Sequence, residues 1–140
     1  MVIAIITVLA AIAAPRYTLA CARYRADWTA RRIVQDFALA QAAAATTGAA
    51  KTVKFLTATN QVQITGIPGL NGLSSGYLLT LSTPPYEAQL VSAEFDSATD
   101  ADVTFNGWGV PDHGGTVVIR VGQEQRTVTL DGSTGKATWL

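Results

Sequence analysis

The chain contains few residues of the kinds that build covalent cross-links or metal sites. It has 140 residues, with one cysteine and one histidine, and 14% of its side chains are charged. The single cysteine, Cys21, excludes an intrachain disulfide. Its apolar surroundings in the sequence indicate a buried small hydrophobic residue. Because Cys21 and His113 stand on different elements and cannot close a tetrahedral site, a zinc centre is excluded.

The sequence also lacks the patterns that carry catalysis. The nucleophile-elbow pattern G-x-S-x-G is absent. His113 stands beside Asp112 in a glycine-rich turn without a candidate nucleophile, which favours a surface loop. Residues 107–109 (Gly-Trp-Gly) lack the strand-to-helix context of a phosphate-binding loop, and we predict a hairpin turn with a packed Trp108. We therefore predict no enzymatic activity, no cofactor and no small-molecule substrate.

One group of acidic residues raises the question of a calcium site. Calcium prefers several loop carboxylates together with carbonyl oxygens. The spacing of the group does not match an EF-hand loop, so a solvated loop is the favoured interpretation and calcium binding the alternative. The residues are Glu94, Asp96, Asp100 and Asp102.

Charge is distributed unevenly along the chain, although ten basic and ten acidic residues cancel overall. Residues 1–50 carry a net charge of +3 and the remaining ninety carry −3. The net charge of zero for the whole chain gives no indication of nucleic-acid binding. The basic part can be a solvated helix face, or it can attract anionic lipid headgroups; the sequence leaves both interpretations open.

The first fourteen residues are the most informative segment. They contain no charge, and Thr7 is their only polar side chain. A membrane-spanning helix needs about 20 apolar residues, so this run is too short for a complete span. Ala11-Ile12-Ala13 matches an A-x-A cleavage pattern, but no basic region precedes the run as it does in a signal peptide. Both objections disappear if the natural chain begins upstream of Met1.

Residues 2–47 are predicted to form one long helix. Alanine, the best helix former, is abundant and no glycine occurs before Gly48, a suitable C-cap. Pro15 removes one backbone donor and is expected to kink the helix. Such a helix is roughly 65–70 Å long, whereas a globule of this size is about 30 Å across, so its apolar end must protrude. Three-and-four spacing predicts an apolar stripe in the second half, made of Tyr17, Cys21, Tyr24, Trp28, Val34, Phe37, Ala38 and Gln41.

From Lys51 onward the apolar period changes from 3.6 to 2, which marks half-buried strands. Glycine- and proline-containing turns separate these short segments. We predict an α+β fold in which a long protruding N-terminal helix packs on an antiparallel β-sandwich of about seven or eight short strands, with residues 1–47 as the helix and 48–140 as the body. The predicted strands cover residues 51–56, 61–65, 77–81, 90–95, 103–105, 116–121, 126–130 and 136–139.

The segment VIAIITVLAAIAAPRY (residues 2–17) resembles the N-terminal helix of type IV pilins and type II secretion pseudopilins, in which an apolar run ends at a proline followed by a basic or aromatic residue. Residues 103–111, the two following strands and Gly135-Lys136 resemble the minor subgroup of H-type pseudopilins and FimT-like pilins. The middle of the chain, residues 66–100, carries no family signature. The resemblance implies a structural subunit that packs through its N-terminal helix with other pilins or pseudopilins and works with inner-membrane assembly proteins.

The resemblance also implies two successive locations for the subunit. The subunit would rest in the bacterial inner membrane as a single-pass protein, in contact with lipid and with its β-domain on the periplasmic side, and would then enter a pilus or pseudopilus. The leader, the cleavage-site glycine and the early glutamate of the family do not occur in the sequence. We expect them upstream of Met1, where prepilin peptidase would process and N-methylate the chain. The anchoring and packing residues would be Val2, Ile3, Ile5, Ile6, Val8, Leu9, Ile12 and Pro15.

Two alternatives remain open. The first is a FimT-like minor pilin that binds DNA in natural transformation. DNA binding in that group resembles a basic G-R-x-R-type patch on the last strand, whereas this chain has Gly135-Lys136-Ala137-Thr138. Lys136, Arg120 and Arg126 would be the contacts, and the net charge of −3 on the body makes nucleic acid an unfavoured partner. The second alternative is an exported soluble β-domain whose signal peptide is removed.

Overall fold

A computed structural model of the chain describes residues 2–69, 76–95 and 101–140. The order of elements is one helix followed by eight strands. The predicted fold class is confirmed: a long N-terminal helix packs on two antiparallel four-stranded sheets. Asp96 and Asp100, part of the acidic group considered above, lie outside the described residues.

Helix α1 spans Val2–Thr47 and includes Pro15. It ends where predicted, since Gly48 adopts a left-handed φ of 66° that glycine reaches without steric cost. All residues from position 2 to position 20 are exposed, so the apolar end protrudes from the body as expected. The second half of the same helix is packed against the sheets. One rigid element thus joins the apolar end to the core.

The strands form two sheets in which every pairing is antiparallel. In the first sheet, which we call sheet A, the order is β3-β2-β1-β5, and in the second, sheet B, it is β4-β6-β7-β8. The period-2 pattern set the strand positions to within one or two residues at each end. The bounds are β1 Lys51–Leu56, β2 Gln61–Ile64, β3 Tyr77–Thr80, β4 Gln89–Phe95, β5 Asp102–Phe105, β6 Gly115–Val121, β7 Glu124–Leu130 and β8 Ala137–Trp139.

A cluster of three phenylalanines marks the place where the helix and both sheets meet. Phe37 comes from α1, Phe55 from sheet A and Phe95 from sheet B. Their ring centroids are 5.6 Å (Phe37–Phe55), 6.1 Å (Phe37–Phe95) and 5.7 Å (Phe55–Phe95) apart, within the range of favourable aromatic pairs. The three layers therefore share one core.

The predicted apolar stripe on α1 is largely wrong. Phe37 is buried, but Tyr17, Tyr24 and Trp28 are mostly exposed. The helix faces the sheets instead through small residues, because alanine lets a helix backbone lie close to a sheet while a few larger side chains fill the remaining space. The buried positions are Ala26, Thr29, Ala30, Ile33, Asp36, Phe37, Ala40 and Ala44.

Candidate assembly surface and membrane anchor

Residues 2–14 of α1, which we call the anchor segment, present aliphatic side chains to the outside over the whole circumference of the helix. The exposed fraction of the large side chains runs from 57% at Ile12 to 78% at Ile3. Contiguous exposed apolar surface of this kind marks contact with a protein or with lipid. The exposed aliphatic side chains are those of Val2, Ile3, Ile5, Ile6, Val8, Leu9 and Ile12.

Thr7 is the only polar side chain of the anchor segment, and its hydroxyl is satisfied within the helix. Thr7 Oγ1 donates to the carbonyl of Ala4 at 2.8 Å and lies 3.1 Å from the carbonyl of Ile3. A hydrocarbon environment offers no partners to polar groups, so such groups must be satisfied internally. Thr7 is therefore compatible with a lipid or helix-to-helix environment.

Pro15 lies at the end of the anchor segment, inside the helix. Its nitrogen cannot donate the usual intrahelical hydrogen bond. Three residues later, the Thr18 hydroxyl donates to the Pro15 carbonyl at 2.9 Å. Among the described residues, α1 is the one helix that is long and apolar enough to cross a membrane by length and composition, and its most apolar stretch is not buried in the body.

An ion-pair network attaches the middle of α1 to β7. Arg126 Nε lies 2.7 Å from Asp27 Oδ1, and Arg23 Nε lies 3.1 Å from Glu124 Oε1. Arg126 and Glu124 are themselves 3.4 Å apart. The hydrogen bond from Arg23 lowers the pKa of Glu124, and the hydrogen bond to Asp27 raises the pKa of Arg126. All four charges therefore favour the docked position of the helix.

A buried polar triad lies further along the packed half of α1, outside the anchor segment. The Tyr77 hydroxyl donates to Asp36 Oδ1 at 2.6 Å and accepts from Arg32 Nη2 at 2.6 Å. Burial raises the pKa of Asp36 to about 6, against the opposing effects of Tyr77 and Arg32. Burial and then the hydrogen bond to Asp36 raise the pKa of Tyr77. Among the described residues, Asp36 Oδ2 and Arg32 Nε are buried without a hydrogen-bond partner.

Sequence patterns do not predict this triad. The four-residue spacing of Arg32 and Asp36 is a recognisable helical ion-pair pattern. In the structure Arg32 Nε lies 3.3 Å from Asp36 Oδ1. No local pattern, however, connects them to Tyr77, which is 41 residues beyond Asp36 in the chain. The contact depends on how β3 packs beside the helix.

On an outer flank of α1, four side chains form a depression that we call the aromatic notch. It has a volume of about 380 Å³ and includes Arg25 in its wall. Glu87 forms an ion pair with this arginine. A second depression, with Arg31, Arg32 and Gln35, adjoins the notch. The residues that define the notch are Tyr24, Trp28, Pro85 and Tyr86.

Trp108 is not packed, contrary to our prediction. It is 88% exposed at the tip of the turn between β5 and Pro111. The turn itself is present, and Gly109 has a φ of 79°. The prediction failed because the turn pairs back on β5 through Phe105 and Pro111 and directs Trp108 to the outside.

The structure does not bring the three predicted DNA contacts together. Arg126 is opposite the buried Ile119 in the sheet and pairs with Asp27 on the helix side. Arg120, next to Ile119, projects from the opposite face, where it donates to Gln89. Lys136 is exposed at the other end of the sheet, roughly 20 Å along the strand direction from Arg120 at 3.3–3.4 Å per residue. They do not form a continuous basic patch.

The remaining candidates from the sequence occupy separate places. Glu94 and Asp102 are both exposed. Within the described ranges, no group of three histidine, cysteine, aspartate or glutamate side chains is placed to hold a metal ion. Cys21 is half-buried on α1. His113 Nδ1 lies 3.5 Å from Asp112 Oδ1 in the exposed turn before β6.

Comparison with known proteins identifies relatives of this architecture. The minor pseudopilin EpsH of the Type 2 Secretion System of Vibrio cholerae superposes with a TM-score of 0.60 at 20% identity, covering 83% of this chain and 96% of that one. Two crystal forms of the type IV minor pilin FimU of Pseudomonas aeruginosa give TM-scores of 0.56 and 0.57 at 14% and 15% identity, covering 81% and 83% of this chain and 91% and 88% of theirs. No curated protein sequence matches significantly.

These likenesses establish the pilin-like fold, and a protein-family match establishes the family. The family model described as Type II transport protein GspH matches residues 29–135, which is most of the chain. The match covers the packed half of α1 and nearly the whole β-body, including residues 103–111 of the C-terminal resemblance, whereas residues 2–17 lie outside it. The chain therefore belongs to the GspH family of type II transport proteins and is a non-enzymatic minor pseudopilin or minor pilin.

Proposed function

We propose that this protein is a minor subunit of a type II secretion pseudopilus. In this proposal the anchor segment holds the subunit in the bacterial inner membrane with its β-body on the periplasmic side, and later packs against the helices of neighbouring subunits. The observation that carries the proposal is the exposure of seven aliphatic side chains on a protruding helix. The description of the matched family as type II transport favours the secretion system over a pilus.

The free energy of removing the anchor segment from water favours a subunit in which lipid or protein always covers this segment. Removing the anchor segment from water contributes on the order of 10–20 kcal/mol at about 25 cal/mol per Å². A free monomer in water would forgo this term and expose a surface prone to aggregation. Lipid before assembly and neighbouring helices after assembly both supply the cover.

The orientation is also part of the proposal. Taken alone, the arginines that follow the anchor segment favour a cytoplasmic body under the positive-inside rule. A basic leader upstream would oppose them and place the body in the periplasm. The exposed Arg16 and Arg23 would then lie close to the headgroups, where anionic lipid attracts them.

The membrane claim is tested with single charges in the anchor segment. Ile6→Arg and Leu9→Arg should each release the full chain from bacterial membranes into the soluble or aggregated fraction after an alkaline wash, because an arginine in hydrocarbon is strongly unfavourable. Gln35→Arg is the matched control, since it adds the same charge at an exposed position of the same helix, beside the body. If both anchor variants stay with the membranes, the proposal is wrong.

A second measurement separates the proposal from export with a cleaved signal peptide. The intact mass of the native protein should include residues 2–14. Loss of the chain up to Ala13 or Ala14 would instead identify a soluble exported domain, because the A-x-A pattern lies there.

A further inference from the structure

The face of α1 that points away from both sheets carries large aromatic side chains just beyond the anchor segment. Tyr17, Tyr24 and Trp28 are 73%, 69% and 64% exposed. At 100° per residue they lie within about 40° of one another around the helix, whereas the buried Ala26 and Ile33 lie roughly 160–180° from Tyr24. The three aromatic residues therefore form one line, which we call the outer stripe and which the body leaves largely uncovered.

The outer stripe continues the exposed surface of the anchor segment. Helix α1 is a single element, and every residue from position 2 to position 20 is exposed. This part of the helix has a length of about 28 Å, close to the roughly 30 Å of the hydrocarbon core of a bilayer. With Ala20 at the edge of the hydrocarbon, Tyr24 lies about 6 Å and Trp28 about 12 Å further along the helix axis.

A tilted helix brings Trp28 as well as Tyr24 into the layer of lipid headgroups. That layer adds about 5–7 Å to each side of the hydrocarbon core. Transmembrane helices tilt by up to about 40°, and a tilt of this size toward the stripe leaves the helix surface at Trp28 about 6 Å above the hydrocarbon edge. The sheets do not hinder such a tilt, because they pack on the opposite side of α1.

The side chains of the stripe and of the adjoining aromatic notch suit the headgroup layer. Tyrosine and tryptophan are concentrated at membrane–water interfaces because each combines an apolar ring with a polar group. Pro85 and Tyr86, in the loop between β3 and β4, extend the stripe sideways. Together with Tyr24 and Trp28 they enclose the notch of about 380 Å³. The notch therefore widens an aromatic surface of the type found at membrane interfaces.

Two arginines without carboxylate partners lie at the two ends of the stripe. Arg16 and Arg31 are exposed, and neither forms an ion pair within residues 2–69, 76–95 and 101–140. Asp27, the one acidic residue before position 36, is held by Arg126 at 2.7 Å. The long side chain of Arg16 can extend from the hydrocarbon edge to the headgroups. Lipid phosphates attract basic residues in such positions.

We propose that the outer stripe and the aromatic notch lie in the headgroup layer of a phospholipid membrane before the subunit is assembled, with α1 tilted toward this face. The inference rests on the proposed function, because the anchor segment holds the stripe beside the membrane. It adds a second membrane contact, in the part of α1 that packs on the body. The β-body then lies over the membrane surface, with the helix between the sheets and the lipid.

The test uses the tryptophans of the chain and vesicles of phosphatidylcholine and phosphatidylglycerol whose acyl chains carry bromine, a fluorescence quencher, near the headgroup. One full-length variant keeps only Trp28 (Trp108→Phe with Trp139→Phe), and the control keeps only Trp108 (Trp28→Tyr with Trp139→Phe). Trp28 should lose about half of its emission relative to vesicles without bromine, because it lies in the interfacial layer. Trp108 should lose almost none, since Gln41 binds its turn roughly 20 Å further along α1.

A second comparison changes one exposed side chain and remains valid if Trp139→Phe weakens the fold. Bromine should quench the natural chain more strongly than the single variant Trp28→Tyr, because the natural chain alone has a tryptophan in the stripe. Both comparisons are made at a low ratio of protein to lipid, so that neighbouring chains do not cover the stripe.

Equal quenching of Trp28 and Trp108, or no quenching of Trp28 in chains that float with the vesicles, would overturn the inference and leave the anchoring proposal intact. Shielding of Trp28 that develops only as the ratio of protein to lipid rises would assign the stripe to a neighbouring protein, and would overturn the inference as well. If Ile6→Arg does not release the chain from membranes, the proposed function itself fails.

Discussion

The Tyr77 hydroxyl donates a hydrogen bond of 2.6 Å to the buried carboxylate of Asp36. Asp36 belongs to α1 and Tyr77 is the first residue of β3, at the edge of sheet A. The bond therefore fixes the position of the helix relative to that sheet. Arg32 adds a second hydrogen bond to the same hydroxyl, so one oxygen serves two charged partners.

Tyr77→Phe should lower the free energy of unfolding by about 1–3 kcal/mol, because it leaves a buried carboxylate oxygen and a guanidinium group without their partner while the ring still fills its space. Denaturant unfolding of the full chain in mild detergent measures this. Tyr17→Phe, at an exposed position of the same helix, should change little. Equal effects of the two variants would show that the triad does not stabilise the fold.

Asp36 should make stability depend on pH. Its pKa is about 6 in the folded chain, above the ordinary value of 3.8, because of burial. The stability that the neutral carboxyl retains is fully present below pH 3.8 and is lost as the pH rises through 6. A difference of about two pKa units corresponds to on the order of 3 kcal/mol.

Asp36→Asn cannot titrate and supplies the comparison. The unfolding free energy of the natural chain minus that of the variant should fall by on the order of 3 kcal/mol between about pH 4 and about pH 7. Chemical unfolding at a series of pH values measures the difference. A difference that is constant across this window, or that rises, would contradict the raised pKa.

Gly107→Ala should destabilise the chain by about 1–3 kcal/mol, since overpacking is costly where backbone cannot move aside. The added Cβ would lie 2.6 Å from the Gly48 carbonyl oxygen and 2.8 Å from its carbon. The melting temperature should fall accordingly. Thr46→Ala, an exposed change at the same end of α1, serves as the control and should leave the melting temperature nearly unchanged. No difference between the two would mean that the turn can move away from the helix.

DNA binding should be absent or weak even at low salt. Non-specific affinity depends on several cations that reach phosphates together, and Arg126 is paired with Asp27 and Glu124. A gel-shift assay with duplex DNA should show no retardation that depends on Lys136. Retardation that Lys136→Ala abolishes would restore the DNA-binding alternative.

The fold was predictable because its signals are local. Alternation identified all eight strands, and alanine content with Gly48 set the helix end. The face of the helix was not predictable in the same way. The large residues Tyr24 and Trp28 are outside, and Ala26 and Ala30 are inside, because the space between the helix and the sheets selects side chains by size and not by hydrophobicity alone.

The features of the candidate site likewise fall into two groups, those predictable from local sequence and those that are not. The anchor segment was evident from composition, since a run without charge is visible in any window. The triad around Asp36 and the position of Trp108 depend on contacts between distant parts of the chain. A period of 2 or 3.6 carries no information on such contacts, so the packed tryptophan was predicted wrongly and Tyr77 was not identified.

The continuity of α1 from the anchor segment to Phe37 has a mechanical consequence. The helix is continuous from its exposed part, through Pro15, to the part that enters the phenylalanine cluster. A pulling force on the anchor segment would thus reach, along the helix, the contacts that Phe37 makes with both sheets. Separating the helix from the body would therefore require many buried contacts to break together.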